Sequence, residues 1–252
     1  MNLYDFGDGN GPVPAEKHAN GGGWVARSAT VAASAFVGPK ATVFGKARVA
    51  DSCRIEDEAK VYDFAECYGN SVVKDKARVF ERANLRNDSV VSGEAKAYGR
   101  CVIADEATVL ANAEVFDSAR LYNQSLVAGR GKVYGYAVLW RTAAVTDDAQ
   151  VYENAVLQYS TVVQGEAKVY GSAYLAGAIL VSEKAQVYGN AIMYSSSGVS
   201  GQAQVCGNAK LQGLGWASDR ACLSGDVVVD GEGWVSGKAR ISTGTVTTWI
   251  RE

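Results

Sequence analysis

From Val25 onward the chain carries an aliphatic residue at almost every sixth position. The series begins Val25, Val31, Val37, Val43, Val49, Ile55, Val61 and passes through Val151, Val187 and Val235 to Ile241 and Thr247. Two residues before each stands a small one: Ala35, Ala41, Ala47, Cys53, Ala59 and so on to Ala239. A unit such as Ala167-Lys168-Val169-Tyr170-Gly171-Ser172 therefore reads in, out, in, as a short strand does, followed by a turn that favours glycine. Inward residues at spacings of two and four, repeated every six, match no 3.6-residue stripe, so helices are not expected. A strand and a corner every six residues predict a coil that closes on itself, and an unbroken period of this kind decides the fold.

Sampling the corners every 18 residues separates three chemistries. One corner reads Phe44, Tyr62, Phe80, Tyr98, Phe116, Tyr134, Tyr152, Tyr170, Tyr188. A second begins Gly38, Glu56, Lys74 and ends Ser182, Ser200, Ser218, Ser236, and the third mixes Tyr68, Arg86, Tyr122, Trp140 and Tyr194 with small residues. The true period is thus three six-residue rungs, a triangular coil. The prediction is an all-β parallel solenoid of about 12–13 coils, stacked at about 4.8 Å into a rod about 60 Å long. Solenoid ends need covering. Residues 1–22 are expected to cap one end, residues 23–248 to form the β-helix, and residues 249–252, with Trp249 and Ile250, to form the tail or cap at the other.

These hexads resemble the hexapeptide-repeat, left-handed parallel β-helix superfamily over residues 23–247. Within it the chain is most similar to bacterial and phage proteins with AKVYGNA-type repeats, many of which carry an acyltransferase name. Their opening also resembles Asp8-Gly9-Asn10-Gly11-Pro12-Val13-Pro14-Ala15 and Asn20-Gly21-Gly22-Gly23-Trp24-Val25. The resemblance implies the left hand, which spacing does not give, and a habit of assembling as trimers.

The outward residues of the strands form three ladders. One is polar: Thr42, Lys60, Arg78, Lys96, Glu114, Lys132, Gln150, Lys168. The other two are apolar over many coils, with Val138, Val156, Tyr174 and Ile192 on one and Val162, Leu180, Trp216 and Trp234 on its neighbour. Two adjoining apolar faces exceed what a monomer normally exposes; exposed β-branched residues are also simply common on strands. The expectation is a self-association surface. Symmetry alone permits a dimer as well as a trimer, and the resemblance favours the trimer. Arg120, Trp140, Arg141 and Tyr159 lie on or beside that surface and are candidates to hold a small anionic or nucleotide ligand between protomers.

Charge and composition remove other classes. A net charge of −2 gives no field to recruit duplex nucleic acid or anionic lipid. No apolar run approaches the roughly 18 residues of a membrane span. Residues 1–22 show neither the basic start nor the apolar core of a secretion signal. The 5 cysteines form no C-x-x-C pair, and Cys53, Cys67 and Cys101 sit inward as small hydrophobes. A reduced, cytoplasmic protein is expected.

The chemistry of catalysis is sparse. The resemblance implies a histidine base and extruded loops for acyltransfer, and three histidines for a metal-dependent carbonic anhydrase. The chain has 1 histidine, His18, ahead of the repeats, and the repeats carry no insertion. Gly7-Asp8-Gly9-Asn10-Gly11 resembles a fragment of a calcium loop but lacks the full series of oxygen ligands, and reads as a turn. No catalytic residue, metal site or cofactor is predicted. The leading expectation is a non-catalytic scaffold or binding protein acting as a homo-oligomer. A protein that sequesters a small anionic ligand and an acyltransferase are the alternatives.

Overall fold

The structure, a computed structural model, describes residues 2–252 and is an all-β parallel solenoid of about 13 coils with an 18-residue repeat. Among these residues there is no helix, hence none long and apolar enough to cross a membrane. The chain divides into two compact units, residues 1–123 and 124–252.

Each strand is short because its hexad supplies one outward and one inward residue before the chain must turn. Arg78–Val79 and Lys96–Ala97 pair in parallel, residue i opposite i+18. The backbone donors run upward from coil to coil, as in Tyr62 N to Val79 O (3.0 Å) and Phe80 N to Ala97 O (3.0 Å). This arrangement satisfies the peptide groups of a chain that is mostly corner.

The inward register follows the sequence. Val109, Val133 and Val151 are fully buried while Thr108, Lys132 and Gln150 are half-buried on the outer surface. One interior wall is bulkier than the other two: Leu85, Ile103, Leu121 in the first unit and Leu139, Leu157, Leu175, Met193, Leu211 in the second. Valines line most of the remaining walls, among them Val43, Val61, Val79 and Val91, all fully buried. Cys53, Cys67 and Cys101 are buried, and burial pushes each thiol up from its ordinary range, Cys101 to about 12.

In the first unit, strands Leu3–Tyr4 and Val13–Lys17 form an antiparallel pair, and Val13–Lys17 lies antiparallel on Trp24–Ala26. That covers the first edge of one wall. A second edge is covered by Asn20, whose carbonyl accepts from Val37 N (3.0 Å) and whose amide donates to Ala35 O (3.0 Å). Phe6 packs at 4.8 Å on Phe44, linking this segment to the aromatic corner.

The second unit ends with a correction to the predicted register. The repeat does not hold to Thr247: Val229 pairs with Val246, which is buried, and Thr247 is exposed. The turn through Ser242-Thr243-Gly244 is one residue short, with Gly244 at φ 86°, and this shift puts the valine rather than the threonine indoors. Trp249–Arg251 then forms a strand on Trp234–Ser236, with Trp249 opposite Trp234.

Candidate functional site

The aromatic corner is a structural stack. In the first unit Phe44, Tyr62, Phe80, Tyr98 and Phe116 follow one another at 4.8–5.0 Å with planes within 7° of parallel. In the second, Tyr134, Tyr152, Tyr170 and Tyr188 repeat the arrangement at 4.9 Å. The ring faces are thereby occupied by one another, which leaves edges and hydroxyls to solvent. Several hydroxyls donate to a side chain on the following coil, Tyr170 to Gln186 Oε1 (3.3 Å) and Tyr188 to Gln204 Oε1 (3.2 Å).

The two apolar ladders of the second unit stand on the outer side of its walls. Val138, Val156, Tyr174 and Ile192 on one wall and Val162, Leu180 and Trp216 on the next are half-buried in the single chain, and Trp234 is 44% exposed. Their remaining surface faces outward. The indoles of Trp216, Trp234 and Trp249 form a ladder, each Nε1 donating back to a corner serine: Ser200 (3.3 Å), Ser218 (2.9 Å) and Ser236 (3.2 Å). Gly198 interrupts the aliphatic ladder for a steric reason: a Cβ there would lie 2.2 Å from the Trp216 ring.

Of the four residues predicted to hold an anionic ligand, the structure groups three. Trp140 and Tyr159 are 45% and 47% exposed at one corner of the second unit, and the Arg141 guanidinium stands 4.7 Å from the Tyr159 ring centroid. Arg141 and Tyr159 both have positive φ, 62° and 59°, where bulky side chains are uncommon. The Thr142 hydroxyl donates to Tyr159 O at 3.2 Å. Arg120 is an exposed strand residue of the first unit.

His18 belongs to the turn that enters the first coil. Its backbone N–H donates to Gly23 O (2.8 Å), its carbonyl accepts from Gly22 N (3.0 Å), and Nδ1 lies 3.1 Å from Asn20 O. Gly7-Asp8-Gly9-Asn10-Gly11 is a turn in which the Asp8 carboxylate accepts from Asn10 N at 3.0 Å, and this bond lowers its pKa. No group of three or more potential metal ligands exists among the described residues.

Several concavities among the described residues carry charge; one of about 470 Å³ lies between Lys40, Asp57, Glu58, Asp75 and Lys76, and two others differ in their balance of charge. The larger, about 740 Å³ in the second unit, runs along the serine-bearing corner between Asp148, Glu183, Lys184, Asp219, Arg220 and Lys238. Some charges on that corner pair: Arg130 grips Asp148 through two 2.6 Å bonds, and Lys184 lies 3.6 Å from Glu166. The Arg130 guanidinium holds the Asp148 carboxyl below its ordinary range. The second, about 450 Å³ in the first unit, is lined by Thr30, Lys46, Arg48, Phe64, Glu66 and Arg82. Sequence reading missed it, although Lys46, Phe64 and Arg82 stand 18 residues apart and sampling that turn position would have shown the run. No known protein family and no curated protein sequence matches the chain.

Proposed function

We propose that the chain is a non-catalytic β-helical scaffold or binding protein that acts as a homo-oligomer, with a trimer favoured over a dimer. The observation that carries this is the pair of adjoining outward ladders in the second unit, Val138/Val156/Tyr174/Ile192 and Val162/Leu180/Trp216/Trp234. Leaving such a surface in water forfeits about 25 cal/mol for each Å² of apolar area. A second copy presents the same faces and so covers them by symmetry. The AKVYG-type repeats support a left-handed, hexapeptide-repeat relative of bacterial or phage type and the choice of threefold symmetry.

Catalysis finds little support. The single imidazole is committed to a turn, and several corner acids are engaged, Asp51 by Gly69 N and Asp148 by Arg130. A second reading, a small anionic or nucleotide ligand held between protomers, is favoured by the Arg141 guanidinium placed on the face of exposed Tyr159.

Sedimentation tests the assembly. The wild-type chain is expected to run as an oligomer at micromolar concentration, and Val156→Glu with Leu180→Glu as a folded monomer. Both positions point outward, so circular dichroism should be unchanged. A monomeric wild-type protein would defeat the reading and assign the apolar faces to another partner.

A further inference from the structure

The geometry points to an anion site in the first unit, at the cavity of Lys46, Arg48, Phe64 and Arg82, whose ligand is an oligophosphate, free or as part of a nucleotide. It is independent of self-association, which rests on the second unit.

Phe64 is 50% exposed at a corner where the residues one coil before and one coil after, Lys46 and Arg82, are cations. Lys46 Nζ and Arg82 Cζ stand 5.5 and 5.4 Å from its ring centroid, one from the coil before and one from the coil after. The ring thus holds two cations in place without neutralising either. Arg48 lines the same cavity from the adjoining wall. All three are exposed, and none has a carboxylate within ion-pair distance.

The contrast with the other charged corner matters. There, carboxylates and cations are interspersed and several pair, as in Lys76 with Glu94 (3.7 Å) and Arg130 with Asp148. Here three cations meet one lining carboxylate, Glu66. That carboxylate already accepts from Asn84 Nδ2 (2.9 Å). The neighbouring corner acids Asp63 and Glu81 are turned onto the backbone N–H groups of Glu81 (3.2 Å) and Gly99 (2.9 Å). Unpaired like charges repel and cost stability, and an anion in the cavity removes that cost.

The spacing selects the anion. Lys46 and Arg82 lie two coils apart, two strand separations of about 4.8 Å each. A chain of two or three phosphates can reach from one to the other across the Phe64 ring, with Arg48 positioned to meet it from the side. Guanidinium groups suit phosphate oxygens because they donate in a planar fork.

Calorimetric titration with inorganic triphosphate and, separately, with a nucleoside triphosphate tests this at low ionic strength. Saturable binding is expected for both, weakened at least tenfold in Lys46→Ala/Arg82→Ala and in Arg48→Gln, and unaltered in Arg130→Ala. Equal affinities identify the phosphate chain as the whole determinant, and tighter nucleoside triphosphate adds the exposed Phe64 edge. Melting temperatures of the variants guard against misfolding, and all are surface changes. The proposal is overturned if neither compound binds, or if the cation-deleted variants bind as well as wild type.

Discussion

At the scale of single residues, the corners hold a rule that the inward register conceals. From Gly45 onward, one residue in nearly every hexad has positive φ, and glycine fills only some of these positions. Asp51, Asp57, Asp63, Asp75, Glu81, Asp105, Asp147 and Asp219 fill others at φ 53–61°. Their side chains serve the backbone: Asp51 accepts from Gly69 N (2.9 Å), Asp75 from Gly93 N (2.9 Å), Asp147 from Gly165 N (3.0 Å) and Asp219 from Gly237 N (3.0 Å). The N–H of a left-handed corner residue turns away from the coil ladder, and a carboxylate 18 residues earlier supplies its acceptor. Glycine is needed where the next coil passes closest; a Cβ on Gly171 would lie 2.7 Å from Gly189 N. Asp75→Ala removes both the acceptor and a side chain tolerant of this conformation, and is expected to cost about 1 kcal/mol. Asp75→Asn keeps both and should be nearly neutral. Denaturant melts of the two variants measure the difference, and equal losses would show that charge, not the bond, matters. The six-residue period puts these acids in turns. It does not show their work because their partner is a backbone group one coil away, which no local motif records.

At the scale of the element, the stacks tie strands of one wall to the corner beside them. The hydroxyls pay in acidity: burial first, then Glu114, pushes Tyr98 up to about 12, and burial with the neighbouring Tyr134 and Tyr170 does the same for Tyr152. Tyr188 reaches about 12 chiefly through a bond with Cys206, then through burial. The unfolded phenol ionises near pH 10. A folded-state pKa above that value means the native chain keeps protons that the unfolded chain has already lost. Stability from these groups is therefore complete below about pH 10 and falls as pH rises from about 10 to about 12. Ultraviolet absorbance of tyrosinate, recorded with circular dichroism through that range, should show late ionisation accompanied by unfolding. Ionisation complete near pH 10 with the fold intact would contradict the stacking. The stack itself was legible, since nine aromatics at an 18-residue spacing permit little else. The Trp216–Trp234–Trp249 ladder was less so, because Trp249 joins it only through the shortened last turns, where the 18-residue period fails.

At the scale of the whole molecule, fold and function were legible to different degrees for one physical reason. Interior positions are constrained by close packing, so Val, Leu and Ala repeat with the coil and announce it. Exterior positions are constrained only by what they touch, and the chain alone does not name that. The apolar ladders were visible as runs of Val, Ile, Leu and Trp; the Lys46/Arg48/Arg82 cavity was not, because its members come from a turn and a strand read in separate series. Salt separates the two surfaces. Contacts between apolar faces do not weaken with ionic strength and are strengthened by excluded salts, whereas attraction of an anion to exposed cations is screened as the Debye length falls from about 10 Å at 0.1 M to about 3 Å at 1 M. Sedimentation should accordingly return the same oligomer at both concentrations of sodium chloride, while triphosphate affinity measured on that oligomer should fall by more than tenfold. An assembly that dissociates in 1 M salt would mean that the protomers meet through charge, and would move the interface away from Val156 and Leu180.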